Sequence, residues 1–408
     1  MKNNLFLIPI MCLTVTSLVS CGKKNVVADF VVYNNIFTAE SENNSLAEAF
    51  AVKNGKYIYV GTKEGAKKYI KEDVTEIIDG KNQGLVIPGA TEGHGHYFDG
   101  VGLNSQLPGC YLEYPELLEE LKQEVKKGIT QFVSFGWDTY SLFEKRISGY
   151  NFAEEIEEIA PGIPVVLIDN AGHGAVCNKT ALQMAEIDKE TTMRGGTIEH
   201  DINGEPSGFI SDQLVFYVIE KAINKPLNAE QYERACEYGM NELLKLGYTN
   251  ALDAFTNMYD PTGLYEALKK MDDEHKLKIN VAECYNIRSY DSEIYQTRVN
   301  EVVDIVKDYS SSHLHPEFIK LFADGVVEAG TGWMLEPYTD GSYGNIIWNQ
   351  SELDAITTYA NKKGLLIHAH SYGDGANKAA INSFVLSNET NGKQYRNCLA
   401  HVRNITDE

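Results

Sequence analysis

Two histidines separated by one residue, His94 and His96, follow the short apolar run 84–91. Successive side chains of a strand alternate between its two faces, so residues two apart point the same way. The two imidazoles could therefore bind one ion at the end of one strand, with Gly95 leaving room for it. Imidazole is the commonest metal ligand in proteins, but most histidines have other roles, so this pair alone is a weak indication of a metal site.

The same spacing recurs in His368 and His370, and a further histidine, His401, ends another apolar run. Five of the chain's ten histidines therefore lie at the ends of predicted strands. In a (β/α)₈ barrel these ends form the active-site face, where the side chains would converge. Converging histidines with acidic groups indicate a metal centre. The alternative is an independent capping or surface role for each, and either His368 or His370 could merely orient the other or contact a substrate.

Lys320 lies in the apolar segment 318–323, where a buried lysine is costly unless its charge is lost or paired. The alternative is a surface lysine on a segment that is not an inner strand. Asp374 follows His370 closely and is expected to cap the helix that begins there.

Six apolar runs have the character of strands, and the helical patterns between them indicate parallel βα units. The strand runs are 84–91, 247–254, 278–285, 318–323, 364–370 and 397–401, and the helical patterns include 115–127, 227–246 and 351–363. A long insertion of about 103–235 follows the first run and has its own strand candidates at 130–135 and 163–168. The predicted fold class is α/β, a TIM-like (β/α) barrel that is incomplete at its C-terminal end, because six of eight strands cannot close a barrel.

Residues 21–85 precede the predicted barrel of 86–408 and have the pattern of a small β-domain. Its strand candidates are 29–33, 49–52 and 57–61, and Asn54-Gly55 between the last two is a strong hairpin signal.

The N-terminus has the pattern of a secretory signal. Lys2 precedes an apolar run over 5–19 that is too short for a comfortable membrane span, and Cys21 follows in a sequence that resembles a bacterial lipobox. Residues 1–20 are therefore expected to be a lipoprotein signal peptide, with Cys21 lipidated. We expect a protein tethered by lipid to the bacterial cell envelope, on the periplasmic side or at the cell surface.

Composition limits the classes of function and partner. A net charge of −22 argues against nucleic-acid binding, since no basic stripe is present to neutralise phosphates. The seven cysteines include no C-x-x-C pair, which excludes a structural zinc knuckle and a disulfide scaffold, although one disulfide is compatible with an export compartment. The expected partner is a small-molecule substrate, with membrane contact only through the lipid anchor, and the chain could also form a homo-oligomer.

Several of these motifs together resemble the amidohydrolase superfamily, and more specifically its family 3 branch, which includes N-substituted formamide deformylase-like enzymes. The branch has a Pro-Gly sequence leading to Asp-x-His-x-His, matched from Pro88 to His96 with Glu92 where Asp is usual. Its Lys-x-x-x-Asp-Gly-Val-x-Glu motif is matched from Lys320 to Glu328, and its His-x-His-x-x-Gly-Asp-x-Ala motif from His368 to Ala376. In the insertion, Gly172-His173 and the segment 201–208 resemble the substrate-side insert of that branch.

The resemblance implies a barrel with a β-sandwich and one or two divalent metal ions, with zinc the expected metal. His94 and His96 would bind one ion, His370 and His401 the other, and Lys320 as its carbamate would bridge them. His368, Asp324 and Asp374 would contact substrate or support the ligands, and His173 would stabilise a developing oxyanion or contact the substrate. A metal-activated water would then hydrolyse a C–N bond of a small amide or cyclic amide.

The sequence departs from this family pattern at its end. The superfamily places an Asp after its eighth strand as metal ligand and general acid/base, whereas this sequence stops at Glu408, just past the sixth. The last two βα units are missing, and we therefore expect a truncated gene product or an incomplete sequence. The alternative function is a catalytically inactive envelope lipoprotein or binding protein on an amidohydrolase scaffold.

Overall fold

The computed structural model describes residues 26–40, 46–327 and 330–406. The predicted signal peptide, Cys21 and Glu328 lie outside the described residues. The chain divides into two compact units, one up to Pro88 and one from Gly89 onward. Within the described part of the chain, no helix has the length and apolar character needed to cross a membrane.

The strands and helices are numbered in chain order. The strands are β1 (Phe30–Phe37), β2 (Leu46–Lys53), β3 (Lys56–Gly61), β4 (Glu76–Asp79), β5 (Leu85–Val86), β6 (Ala90–Gly95), β7 (Phe132–Trp137), β8 (Val165–Asp169), β9 (Gly174–Cys177), β10 (Gly196–His200), β11 (Pro206–Asp212), β12 (Tyr248–Asp253), β13 (Asn280–Asn286), β14 (Leu314–Phe322), β15 (Leu366–His370) and β16 (Cys398–Ala400). The α-helices are α1 (Lys63–Ala66), α2 (Tyr114–Lys126), α3 (Phe143–Ile147), α4 (Phe152–Ile159), α5 (Lys179–Met184), α6 (Gln213–Ala222), α7 (Ala229–Lys245), α8 (Gly263–Asp273), α9 (Tyr295–Tyr309), α10 (Gln350–Lys362) and α11 (Asp374–Asn391). Tyr97–Leu103 forms a wider π-helical segment, and Lys67–Tyr69, Thr139–Leu142 and Ser289–Ile294 form 3₁₀ turns.

The first unit contains one mixed sheet in the order β3-β2-β1-β4, with β5 also pairing with β1. Asn54 and Gly55 turn β2 into β3, with φ values of 50° and 71° that Asn and Gly tolerate better than other residues do. Small side chains such as Ala49 and Ala51 are fully buried on one face of this sheet.

The second unit is built on a parallel barrel sheet whose order among the described residues is β16-β15-β14-β13-β12-β6. Each of the six apolar runs predicted from the sequence contributes a strand to this sheet, and the predicted TIM-like α/β class is confirmed. Buried aliphatic side chains such as Ile319, Leu321 and Ile367 pack with those of α9 and α10. Two helices of this unit begin at capping boxes, formed by Asn228 at the start of α7 and by Asn349 at the start of α10.

The insertion folds into a second sheet in the order β10-β11-β9-β8-β7. Strand β8 is buried along its whole length, as expected for a central strand. Along the chain this sheet lies between β6 and β12, yet those two strands pair directly. The insertion therefore leaves the barrel ladder uninterrupted.

The first predicted strand run, 84–91, is split in the structure. Leu85–Val86 pairs with β1, whereas the barrel strand begins only at Ala90. Pro88 lies between them and has no backbone N–H to donate, so one hydrogen-bonded ladder cannot continue through it. The barrel strand runs from Ala90 to Gly95, so His94 lies within it rather than beyond it.

Candidate metal centre

Strands β6, β14 and β15 and the segment after β16 bring four of the sequence-predicted residues to one place. Lys320 of β14 is in register with His368 of β15, and Phe322 is in register with His370. The ring centroid of His401 lies 4.5 Å from that of His94 and 4.6 Å from that of His370. His94, His370, His401 and Lys320 thus form one group, which we call the histidine centre.

The imidazoles of the histidine centre are held in the neutral form, which is the form that binds metal ions. Burial, followed by the nearby charge of Lys320, lowers the pKa of His94 to about 2 and that of His401 to about 4. The same two causes hold the pKa of His370 well below its usual value. His401 also adopts a φ of 73°, a conformation uncommon outside glycine and one that concentrates at functional sites.

Lys320 is only 1% exposed, and its ammonium group has no hydrogen-bond partner among the described residues. Its Nζ lies 4.9 Å from the centre of the Phe322 ring. Burial lowers the pKa of Lys320 to about 8, so the neutral amine needed for carbamate formation is accessible near neutral pH. The chemistry of the donor set therefore fits a divalent metal: neutral imidazoles beside a lysine that could become an anionic carbamate.

His96 takes a different direction from His94. It follows the end of β6 with φ −132° and ψ 58°, so the strand alternation that would align the two side chains does not reach it. Its Nδ1 lies 3.3 Å from Oδ1 of Asp99, whereas Nδ1 of His94 lies 2.6 Å from Nε2 of His368. The two rings remain close, with centroids 5.5 Å apart.

His173 enters the site from the insertion, in the loop between β8 and β9. Its Nδ1 lies 2.8 Å from Oδ1 of Asp212, and its backbone N–H donates to Asp169. Burial acts to lower the pKa of His173, but the hydrogen bond and the charge of Asp212 outweigh it and raise that pKa. Asp212 has a φ of 51° at the start of α6, which is uncommon for a non-glycine residue and aims its carboxylate at the imidazole.

These groups line a cavity of about 510 Å³. Its polar lining includes His94, His96, Asp99, His173, Lys320, His370 and His401. Its apolar lining includes Phe135, Phe216, Phe255, Met258 and Phe322. A concave, largely apolar pocket with a few convergent polar groups is the usual form of a small-molecule site.

Two other sequence-predicted residues lie behind this lining. His368 lies between His94 and Cys398, and the Nδ1 of His368 lies 2.8 Å from the Sγ of Cys398. Asp324 is fully buried and accepts backbone N–H groups from Trp333, Tyr372 and Gly373, so it fixes loops rather than facing the cavity.

Asp374 was expected to cap the helix after β15, and this is wrong. It is the first residue of α11, whose N-cap is Gly373, and its carboxylate accepts the backbone N–H of Leu335 instead. The helix starts one residue earlier than the motif suggested, so the Asp lies inside the first turn, where a carboxylate is still favourable.

Sequence reasoning missed several acidic residues of the site. Asp253 ends β12, Glu283 lies in β13 and Asp99 belongs to the π-helical segment after β6. Asp253 and Glu283 lie within the predicted runs 247–254 and 278–285, so the argument applied to Lys320, a charge inside an apolar strand, would have identified them. Asp212 could have been found by applying the strand-end rule to the insertion.

The chain resembles known proteins over most of its length. The model of the amidohydrolase family matches residues 76–408. The exoenzymes regulatory protein AepA of Pectobacterium carotovorum subsp. carotovorum is 25% identical over 386 residues, which cover 91% of this chain and 79% of that protein. The N-substituted formamide deformylase of Arthrobacter pascens is 23% identical over 368 residues, covering 87% of this chain and 65% of that protein.

A solved structure shares the fold. The crystal structure of an uncharacterized metal-dependent hydrolase from Pyrococcus horikoshii OT3 superposes with a TM-score of 0.61 at 24% identity, covering 89% of this chain and 68% of that one. The family match extends well beyond half of the chain and includes every residue of the histidine centre. The chain belongs to the amidohydrolase family, and this membership supports a hydrolase function with a divalent metal.

Proposed function

We propose that this protein hydrolyses a C–N bond of a small amide or cyclic amide with a metal-activated water. The observation that carries the proposal is the histidine centre itself, in which three neutral imidazoles and a buried, unpaired lysine converge on one cavity.

In this proposal His94, His370, His401 and Lys320 as its carbamate hold one or two zinc ions, and His96 lies at the edge of the set. A divalent ion bound there would lower the pKa of its water toward neutrality and polarise the substrate carbonyl. The neutral state of the imidazoles leaves their lone pairs available for this role.

In this proposal His173 transfers a proton. Asp212 accepts the hydrogen on Nδ1, which leaves Nε2 for the substrate, and the raised pKa of His173 favours the form with a hydrogen on both nitrogens. Its Nε2–H can donate to the carbonyl oxygen as negative charge develops there, or to the departing nitrogen.

The apolar wall determines the kind of substituent that fits. Phe216, Phe255 and Phe322 form a cluster with ring centroids 5.1 to 6.2 Å apart, a surface for an apolar or aromatic group. The similarity to an N-substituted formamide deformylase favours a substrate whose amide nitrogen carries such a group.

The test is a hydrolysis assay on the full chain after loading with zinc, manganese or cobalt and bicarbonate. N-aryl formamides, N-acyl amines and cyclic amides would be compared by release of amine. His370→Asn and His401→Asn should each lower kcat/KM by at least about 100-fold with loss of bound metal. His275→Asn is the control, because His275 is exposed and its φ of 59° suits Asn. A metal-loaded chain that releases amine from none of these substrates would contradict the proposal.

A binding role without turnover is the second candidate. It is favoured by the similarity to AepA, which is named as a regulatory protein and covers nearly all of this chain. Under this alternative the chain would bind N-substituted amides by calorimetry but release no amine, and His370→Asn would weaken binding only modestly.

A further inference from the structure

Asn104 is a cavity residue whose side chain the proposed hydrolysis does not use. It is 1% exposed and lines the cavity of about 510 Å³. It follows the π-helical segment Tyr97–Leu103, and its backbone N–H donates to the carbonyl groups of Gly100 and Val101. A buried amide side chain is expected to have hydrogen-bond partners for both its oxygen and its NH₂ group.

The hydroxyl group of Tyr259 satisfies the oxygen of this amide and fixes its orientation. It donates to Oδ1 of Asn104 at 2.9 Å. The opposite orientation of the amide would leave the hydroxyl hydrogen without an acceptor among the described residues. Nδ2 of Asn104 hydrogen-bonds to none of the described residues, so its two N–H groups remain available to a molecule in the cavity.

The π-helical segment that carries Asn104 is packed tightly against α7. A Cβ added at Gly239 of α7 would lie 2.4 Å from the carbonyl oxygen of Tyr97. A Cβ added at Gly102 would lie 2.6 Å from the carbonyl oxygen of Ala235. Glycine at both places therefore allows the two backbones to approach closely, which holds the amide donor in a fixed position, as a specific hydrogen bond to a ligand requires.

We propose that Asn104 selects substrates whose amide nitrogen carries an uncharged group with a hydrogen-bond acceptor, such as an ether, carbonyl or hydroxyl oxygen. This inference rests on the proposed hydrolysis and deepens it. The apolar wall takes the hydrocarbon part of the group, and Nδ2 of Asn104 donates to its oxygen. A substrate without that oxygen displaces water and leaves the two N–H groups unpaired, which is how a buried donor discriminates between similar molecules.

The charge of the lining favours a neutral acceptor over a carboxylate. Among the described residues that line the cavity, Lys320 is the only lysine or arginine, and in the proposed function it serves the metal centre. A carboxylate beside Asn104 would lose its hydration without gaining a cation. The net charge of −22 also opposes the approach of an anion.

The test uses N-benzylformamides in pairs of matched shape, with a methoxy or an ethyl substituent at the meta or the para position of the ring. The metal-loaded full chain should favour the methoxy member of at least one pair by about 5-fold or more in kcat/KM. Asn104→Leu removes the donor and should bring this preference to about 1 or below. The preference compares two substrates on one protein, so a general loss of activity or stability does not change it.

Tyr259→Phe tests the orientation of the amide. Without the hydroxyl group the amide of Asn104 is free to rotate and present its oxygen, so the methoxy preference should fall by at least about 2-fold. Tyr265→Phe is the matched control, because Tyr265 is a buried tyrosine whose hydroxyl lies 2.6 Å from Oγ1 of Thr256, away from the cavity lining. It should leave the preference unchanged.

Equal kcat/KM values for the methoxy and ethyl members of both pairs, or a preference that persists in Asn104→Leu, would overturn the inference and leave the proposed hydrolysis standing. If neither member is hydrolysed, calorimetry on the same metal-loaded chain measures the preference as a ratio of Kd values. A methoxy preference that Asn104→Leu removes would then support the inference and contradict the hydrolysis. Absence of binding by both members would contradict both.

Discussion

Replacing Lys320 with Met should stabilise the metal-free protein while abolishing hydrolysis. Met has a similar length and no charge, and the ammonium it replaces is 1% exposed with no hydrogen-bond partner in the described residues. Burial lowers the pKa of Lys320 from 10.5 to about 8. Since one pKa unit corresponds to about 1.4 kcal/mol, burying this charge costs about 3 kcal/mol at pH 7.

The lowered pKa of Lys320 also predicts how the stability of the protein changes with pH. Because the folded-state pKa of Lys320 is below the unfolded one, the unfolded chain binds more protons between pH 8 and 10.5. The stability of the wild type should therefore rise across that window. In Lys320→Met this rise should be absent, and the stability gain over the wild type should disappear by about pH 10.5.

The assay is urea unfolding of chelator-treated, bicarbonate-free protein at pH 7 and pH 10, followed by tryptophan fluorescence. We expect Lys320→Met to exceed the wild type by about 2–3 kcal/mol at pH 7 and by much less at pH 10. Lys307→Met is the control, since Lys307 is exposed on α9 and should change stability by less than about 0.5 kcal/mol. A Lys320→Met protein less stable than the wild type at pH 7 would refute the reasoning that this lysine is held at a cost for function.

Three further predictions concern carboxylates. Asp212→Asn should move the alkaline fall of the pH–rate profile by about one unit to lower pH, because His173 loses the anion that raises its pKa; an unmoved profile would remove His173 as proton donor. Burial acts to raise the pKa of Asp272, but hydrogen bonds from Ser311, His313 and Ser312 outweigh it and lower that pKa to about 2. The stability that this carboxylate contributes should therefore be present above about pH 4 and lost between about pH 4 and 2. Acid titration of Asp272→Asn should lack that loss. Asp324→Ala should cost about 3–5 kcal/mol in urea unfolding, since three backbone N–H groups lose their acceptor, and a cost below about 1 kcal/mol would show that the loops find other partners.

The parallel barrel could be predicted from the sequence because its strands are short apolar runs separated by helical patterns, a signal that local composition carries. The pairing of β6 with β12 could not, because it brings together residues separated by the whole insertion. The order of strands in the inserted sheet is also partly non-local, since β11 pairs with β9 although β10 lies between them in sequence.

The candidate site was predictable to the extent that its residues stand out against their neighbours. Lys320 and the His-x-His pairs are polar groups in apolar runs, and the structure brings most of them together. Asp253 and Glu283 are also charged residues in apolar runs. Each is the single carboxylate of its strand, however, and the spacing of the histidines does not indicate either of them. Asp212 ends β11 of the inserted sheet, a strand that was not among the candidates from the sequence, so the strand-end rule was not applied to it.

His94 and His96 point in different directions because the alternation of side chains along a strand applies to His94 but not to His96. Alternation would aim both imidazoles at one ion, but β6 ends at Gly95, and His96 has already left strand geometry. One imidazole therefore faces His368 and His401, while the other faces Asp99. A single motif thereby supplies a donor to each of two adjacent groups, one rich in imidazole and one rich in carboxylate, with Lys320 acting electrostatically on both. Because the charge of this lysine acts on both groups, its conversion to a carbamate would reverse the sign of that action on each of them.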